Sequence, residues 1–79
     1  MMQYLLNVTN DHNGSLLITC PAFPEVTTFA EDEADVARRA TAAIEEAIAA
    51  RIHDGDELPR PCTDEELRRV KGKCWVKLS

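Results

Sequence analysis

Two prolines three residues apart, followed by a short β-branched run and a long alanine-rich stretch, leave this chain few possible folds. Pro21 and Pro24 restrict φ and lack a backbone donor, so we expect a turn or an extended edge here rather than a central strand. Val26–Phe29 then predicts a third strand. The alanine-rich stretch predicts a helix over residues 32–53.

Two strands and a tight turn are predicted before this segment. Apolar and polar residues alternate along Gln3–Thr9 and again along Ser15–Cys20, a pattern typical of strands with one buried face. Between them, Asn13-Gly14 is a strong hairpin signal. A loop this short joins antiparallel strands, so the first two strands are expected to pair with each other.

The helix is predicted to be amphipathic and capped at both ends. Asp32 can accept a hydrogen bond from the backbone N–H of Asp35, and Gly55 suits the position after the last turn. Apolar side chains recur every four residues, at Val36, Ala40, Ile44, Ile48 and Ile52. The opposite face is predicted to carry Arg38, Glu45, Glu46 and Arg51.

The last part of the chain predicts a short helix and a fourth strand. Pro59–Pro61 is expected to be extended, and Thr63-x-x-Glu66 is a capping-box pattern that opens a helix running to about Val70, with Gly72 ending it. Alternating residues then predict a strand with Cys74, Val76 and Leu78 on one face. The whole predicts one α+β domain over residues 1–79, in the order β-β-β-α-(α)-β. Its small, three- to four-stranded, mainly antiparallel sheet is covered on one face by the long helix.

Charge is distributed unevenly along the chain. The net charge is −5 at pH 7; residues 31–57 carry −6 and residues 60–79 carry +3. This balance opposes binding to a phosphate backbone and suits a basic partner. On charge alone, a solvated helix face is the simpler explanation of the acidic stretch.

Cysteine usage and hydropathy point to a cytoplasmic protein. The three cysteines are widely spaced and form no C-x-x-C pair, so neither a zinc site nor a redox pair is predicted. The amino-terminal residues show no signal-peptide pattern, and no apolar run reaches the roughly 20 residues needed to span a bilayer. We therefore expect no metal, no cofactor and no membrane association.

The order of these segments resembles the HicB-like antitoxin family, which shows strands, a P-x-(L/F)-P motif, an acidic helix start, an alanine-rich helix, P-x-P and a last strand. The positions that match this pattern are Pro21, Phe23, Pro24, Thr28, Glu31, Ala40, Ala43, Ile44, Pro59 and Pro61. Glu25 and Ala30 stand where the family usually has glycine. The resemblance covers nearly the whole chain and implies a partial RNase H-like fold.

The resemblance also implies a function and a partner. Members of the family neutralise a small basic toxin, HicA, an RNase that degrades mRNA, by masking its catalytic histidine and its RNA-binding surface. The segment Pro21–Phe29 and the acidic first turn of the helix are the expected contact surface, at Phe23, Glu25, Thr28, Glu31, Asp32, Glu33 and Asp35. For each acid, helix capping is the simpler explanation, as is core packing for Phe23.

Two further properties follow from the same resemblance. Family members commonly form oligomers, and the proline-flanked strand Val26–Phe29 is expected to be an edge, which would be able to pair with a second copy. Many also carry a DNA-binding module after the last strand, whereas this chain has none up to Ser79. We therefore expect a homo-oligomer whose chain does not bind nucleic acid directly, unless a DNA-binding module follows Ser79 in the natural protein.

Other functions remain open from the sequence. A degenerate RNase H-like nuclease would need metal-binding carboxylates, for which Asp11 and Asp35 are the candidates, although we expect no enzymatic activity and no catalytic residue. A stand-alone interaction or regulatory domain without a toxin is a further alternative. The basic end could bind single-stranded nucleic acid through Arg68, Arg69, Lys71, Lys73 and Lys77, with Trp75 among them.

Overall fold

Four antiparallel strands form one sheet, and a long helix packs against one of its faces. The computed structural model describes residues 2–11, 13–69 and 74–78. In chain order the elements are β1 (Met2–Asn10), β2 (Leu16–Cys20), β3 (Phe23–Ala30), α1 (Glu33–Asp54), α2 (Asp64–Arg69) and β4 (Cys74–Leu78). The strand order in the sheet is β3-β2-β1-β4, which confirms the predicted α+β class and places β3 and β4 at the two edges.

The β1–β2 hairpin forms where the sequence predicts it. Gly14 has a φ of 82°, a left-handed conformation that favours glycine, and the backbone N–H of Asp11 donates to Ser15 O at 2.8 Å. The alternation of apolar residues also holds, because Tyr4 and Leu6 of β1 and Ile18 of β2 are buried on the face that meets the helix.

Strand β3 begins earlier than predicted. It starts at Phe23 rather than at Val26 and therefore includes Pro24. An edge strand tolerates proline because one side of its backbone has no ladder to complete. The pairing with β2 is also irregular here: Thr19 lies opposite Thr27, whereas Cys20 lies opposite Phe23, so the intervening residues of β3 bulge out.

Helix α1 has the predicted caps, but its row of buried residues is shorter than predicted. Asp32 accepts a hydrogen bond from the N–H of Asp35, and Gly55 ends the helix with a φ of 73°. The buried positions are Val36, Ala40, Ile44 and Ala47. The predicted continuation to Ile52 is wrong, since that side chain is 64% exposed. Each four-residue step advances about 40° beyond a full turn, so by Ile52 the series has rotated away from the sheet.

Hydrogen bonds join the segment between the helices to β1. The hydroxyl of Tyr4 donates to Pro59 O at 3.0 Å, and the N–H of Cys62 donates to Gln3 O at 2.8 Å. The predicted capping box of α2 is present, with reciprocal hydrogen bonds of 3.1 Å between Thr63 and Glu66. The predicted end of this helix at Val70 and Gly72 lies outside the described residues.

Strand β4 lies at the other edge of the sheet, next to β1. It pairs antiparallel with β1, so that Val76 lies opposite Tyr4 and Leu78 opposite Met2. Val76 and Leu78 are buried in the same hydrophobic core as Tyr4 and Ile44. The long helix therefore covers a continuous apolar layer contributed by all four strands.

Candidate functional site

One end of the sheet carries a concentration of carboxylates, which we call the acidic end and define as Asp11, Glu31, Asp32, Glu33 and Asp35. The strand register explains the grouping: Asn10 lies opposite Leu16, and Leu16 lies opposite Ala30. The hairpin turn and the start of α1 are thus at the same end. The sequence predicts Asp11 only as a nuclease candidate, and the register of the hairpin is the signal that adds it to this surface.

Two of these acids, Asp32 and Asp35, accept hydrogen bonds from other groups of this chain. Asp32 Oδ1 accepts from the N–H of Asp35 at 3.0 Å. The carboxylate of Asp35 accepts from Nε of Arg39 and from Nε of Arg38, each at 3.0 Å, and the Arg39 hydrogen bond is the main cause that lowers the pKa of Asp35. These two acids hold the first turn of the helix in place.

The other two acids of the helix start face solvent. Glu31 and Glu33 are exposed, and neither forms an ion pair with any residue in the described part of the chain. Glu31 meets Asp35 only through its backbone N–H, which donates to Oδ2 at 3.3 Å. Their side chains are therefore the acids of this turn that remain available for a charged partner.

A second charged cluster lies at the opposite end of β3. Arg51 donates from Nε and Nη2 to the two carboxylate oxygens of Glu25, both at 2.9 Å. These hydrogen bonds are the largest cause that lowers the pKa of Glu25, from 4.5 to about 2. The guanidinium carbon also lies 5.0 Å from the centre of the Phe23 ring, a cation–π distance.

The position of Arg51 corrects the prediction that it lies on the outer helix face. It is eleven residues beyond Ala40, and eleven residues complete about three turns, so Arg51 returns to the side that faces the sheet. It covers Phe23, whose ring is fully buried and packs edge-on against Tyr4, with the ring centres 5.1 Å apart. The Phe23 side chain is thus part of the core.

The predicted contact residues therefore form two groups rather than one. Glu31, Asp32 and Asp35 are brought together at the acidic end, whereas Glu25 lies near the start of β3, an eight-residue strand spanning about 26 Å. Thr28 lies between the two groups, half-buried and opposite Ile18. Strand β3 connects both groups along one edge of the sheet.

A groove runs between this edge and the helix. Its volume is about 320 Å³, and we call it the β3–α1 groove. The floor is made of Val26, Ala43, Ala47 and Ala50, and the rim carries the carboxylates of Glu25 and Glu46. Sequence patterns did not point to Glu46, because its place beside β3 depends on the strand order.

The carboxylates that a metal-dependent nuclease would need are not arranged as a metal site among the described residues. Asp35, a candidate metal ligand, is engaged by two guanidinium groups. Within residues 2–11, 13–69 and 74–78, no three His, Cys, Asp or Glu side chains are grouped to hold a metal ion.

At the basic end, Arg69 pairs with Glu65, and Arg60 pairs with Glu66. Lys71, Lys73 and the side chains of Trp75 and Lys77 lie outside the described part. No helix among the described residues is long and apolar enough to cross a membrane.

Comparison with known proteins places the chain in a family. A search of curated proteins finds no match. A family model described as the HicB-like antitoxin of a bacterial toxin–antitoxin system matches residues 3–78, which include both helices and all four strands except Met2, the first residue of β1. The chain therefore belongs to the HicB-like antitoxins of bacterial toxin–antitoxin systems.

Proposed function

We propose that this protein neutralises a HicA-like toxin, an mRNA-degrading RNase, by binding it directly and masking its active site. Family membership makes the protein an antitoxin and implies a toxin as its partner. The observation that supports direct binding is the acidic end, where exposed Glu31 and Glu33 stand beside a first turn already held in place by Asp32 and Asp35.

Electrostatic complementarity is the physical basis of this proposal. An RNase must bind phosphates, so its substrate surface is basic, and a protein with a net charge of −5 is attracted to that surface. Carboxylates on a preformed helix start lose little conformational freedom when they meet such a surface, because their backbone is already ordered.

The contact residues divide into two roles. Glu31 and Glu33 are proposed to meet the toxin directly, whereas Asp32 and Asp35 position them. Glu25 and Thr28 are proposed to extend the contact along β3. Phe23 contributes from the core, because its ring supports the Arg51 guanidinium that holds Glu25.

The test is co-expression with the small basic protein encoded beside this gene, followed by co-purification and an RNA-degradation assay. We expect rescue of growth and a stable complex in which RNA is not cleaved. If this protein neither rescues growth nor binds at micromolar concentration, the proposal fails, and a stand-alone interaction domain becomes the better description.

A charge-reversal pair locates the surface. The double variant Glu31→Lys/Glu33→Lys is expected to weaken toxin binding about tenfold or more. The matched control, Glu45→Lys/Asp54→Lys, makes the same change in net charge at exposed positions elsewhere on α1. Equal loss in the two variants would mean that only net charge matters and would contradict a specific acidic contact.

Self-association and a cytoplasmic location stay predictions from the sequence. Light scattering of the purified protein over a range of concentrations measures the first.

A further inference from the structure

The edge of β3 is open along its second half. Because β3 ends the strand order, one side of its backbone has no strand partner among the described residues. Natural edge strands are commonly protected by proline or by charged side chains. Here those features, Pro24 and Glu25, occupy only the start of the strand, and Val26–Ala30 has neither. Phe29 in this stretch is 49% exposed.

The β3–α1 groove adjoins the first part of this open edge, at Val26 and Thr27, on the side of the sheet that carries the helix. Side chains of an added strand alternate between the two faces, so one on the helix side beside Val26 and Thr27 would enter the groove. The helix contributes only alanines to the floor, at Ala43, Ala47 and Ala50, and these leave room for an incoming side chain. The open backbone and the adjacent hollow together fit an extended segment.

The charge on the groove rim selects the chemistry of that segment. The carboxylate of Glu25 is neutralised by its two hydrogen bonds with Arg51. Glu46 is exposed and forms no ion pair with the residues described, so it leaves the groove with an uncompensated negative charge. A second copy pairing symmetrically through β3 would bring a second Glu46 to the same groove, whereas a basic segment would complement it.

We propose that an extended, basic segment of the toxin adds to the open edge of β3 as a further strand, with a lysine or arginine in the β3–α1 groove paired to Glu46. This inference rests on the proposed function and adds the mode of binding. The acidic end then attracts the basic toxin surface, and the edge of β3 supplies backbone hydrogen bonds that fix its register.

Two neighbouring glutamates on α1 provide a matched test of the groove. Glu46 borders the groove, whereas Glu45 lies on the other side of the helix, beside Met2 and Leu78. Binding is measured by calorimetry with the co-encoded basic protein whose catalytic histidine has been replaced. Glu46→Lys is expected to weaken binding about tenfold and Glu45→Lys no more than about threefold. Equal effects of the two substitutions would overturn the assignment of the groove.

Hydrogen exchange tests the added strand itself. In the complex, the outward-facing amides of Val26–Ala30 are expected to exchange about tenfold or more slowly than in the free protein, because they become hydrogen-bonded. A complex that forms without this protection would overturn strand addition and leave the antitoxin function intact. The absence of any complex would overturn both. Protection that rises with the concentration of this protein alone would assign the edge to a second copy and refute the proposed occupant.

Discussion

Replacing Ile44 with alanine tests how α1 is held on the sheet. Ile44 is fully buried in the core between the strands and the helix. The substitution removes three carbon atoms, each worth about 0.8 kcal/mol of transfer free energy, or about 2.4 kcal/mol in total. The cavity left behind raises the expected loss in the free energy of unfolding to about 3–4 kcal/mol.

Ile52 on the same helix supplies the matched control. It is 64% exposed, so the same substitution removes little buried surface. The better helix propensity of alanine offsets part of that loss, and we expect about 0.5 kcal/mol. The difference between the two variants, about 2.5–3.5 kcal/mol, isolates burial because the chemical change is identical.

The assay is urea denaturation followed by circular dichroism. The urea concentrations at the unfolding midpoint are compared between variants whose m-value, the dependence of the free energy of unfolding on urea concentration, is the same. A domain of this length has a total stability of about 4–12 kcal/mol, so Ile44→Ala could unfold a protein at the lower limit. Ile44→Val, with an expected loss of about 0.5–1.5 kcal/mol, keeps the comparison measurable in that case. Substitutions at Ile44 and Ile52 that destabilise the protein equally would refute the assigned buried face of α1.

Three more predictions concern a salt bridge, a helix cap and a thiol. The pKa of Glu25 is lowered from 4.5 to about 2, so its ionised form contributes stability that is complete above about pH 5 and is lost as the pH falls towards 2. Between pH 6 and 3, Glu25→Gln should therefore lose less stability than the unsubstituted protein, and an equal loss in denaturation midpoints would count against the pair. Gly55→Ala should cost about 1 kcal/mol in a denaturation experiment from the left-handed φ alone, since no atom lies within 4 Å of the added carbon. Iodoacetamide at about pH 8 should modify Cys62 before Cys20, because burial raises the pKa of the Cys20 thiol and leaves it 2% exposed; equal labelling by mass spectrometry would contradict that burial.

Features decided by neighbouring residues were predictable from the sequence. The hairpin at Asn13-Gly14, the caps at Asp32 and Gly55, and the capping box at Thr63 each depend on a conformation set within a few residues. Local backbone chemistry determines these features, and the structure confirms them.

Features that depend on distant segments were not predictable in the same way. The Glu25–Arg51 pair joins residues 26 positions apart, and only the packing of α1 on β3 brings them together. Pro24 lies within a strand because β3 is an edge, a fact contained in the strand order rather than in the proline. The acids of the helix start lie where the sequence predicts the helix to begin. Only the positions of the arginines show that Asp35 accepts hydrogen bonds from them, whereas Glu33 is exposed.

We propose that this protein inhibits a toxin by binding to it. The most direct measurement is the rate of RNA cleavage by the purified basic protein encoded beside this gene, titrated with this antitoxin. We expect that cleavage falls to background at stoichiometric amounts and that Glu31→Lys/Glu33→Lys requires a clear excess to reach the same inhibition. Cleavage that continues at its full rate in an excess of the unsubstituted protein would contradict the claim.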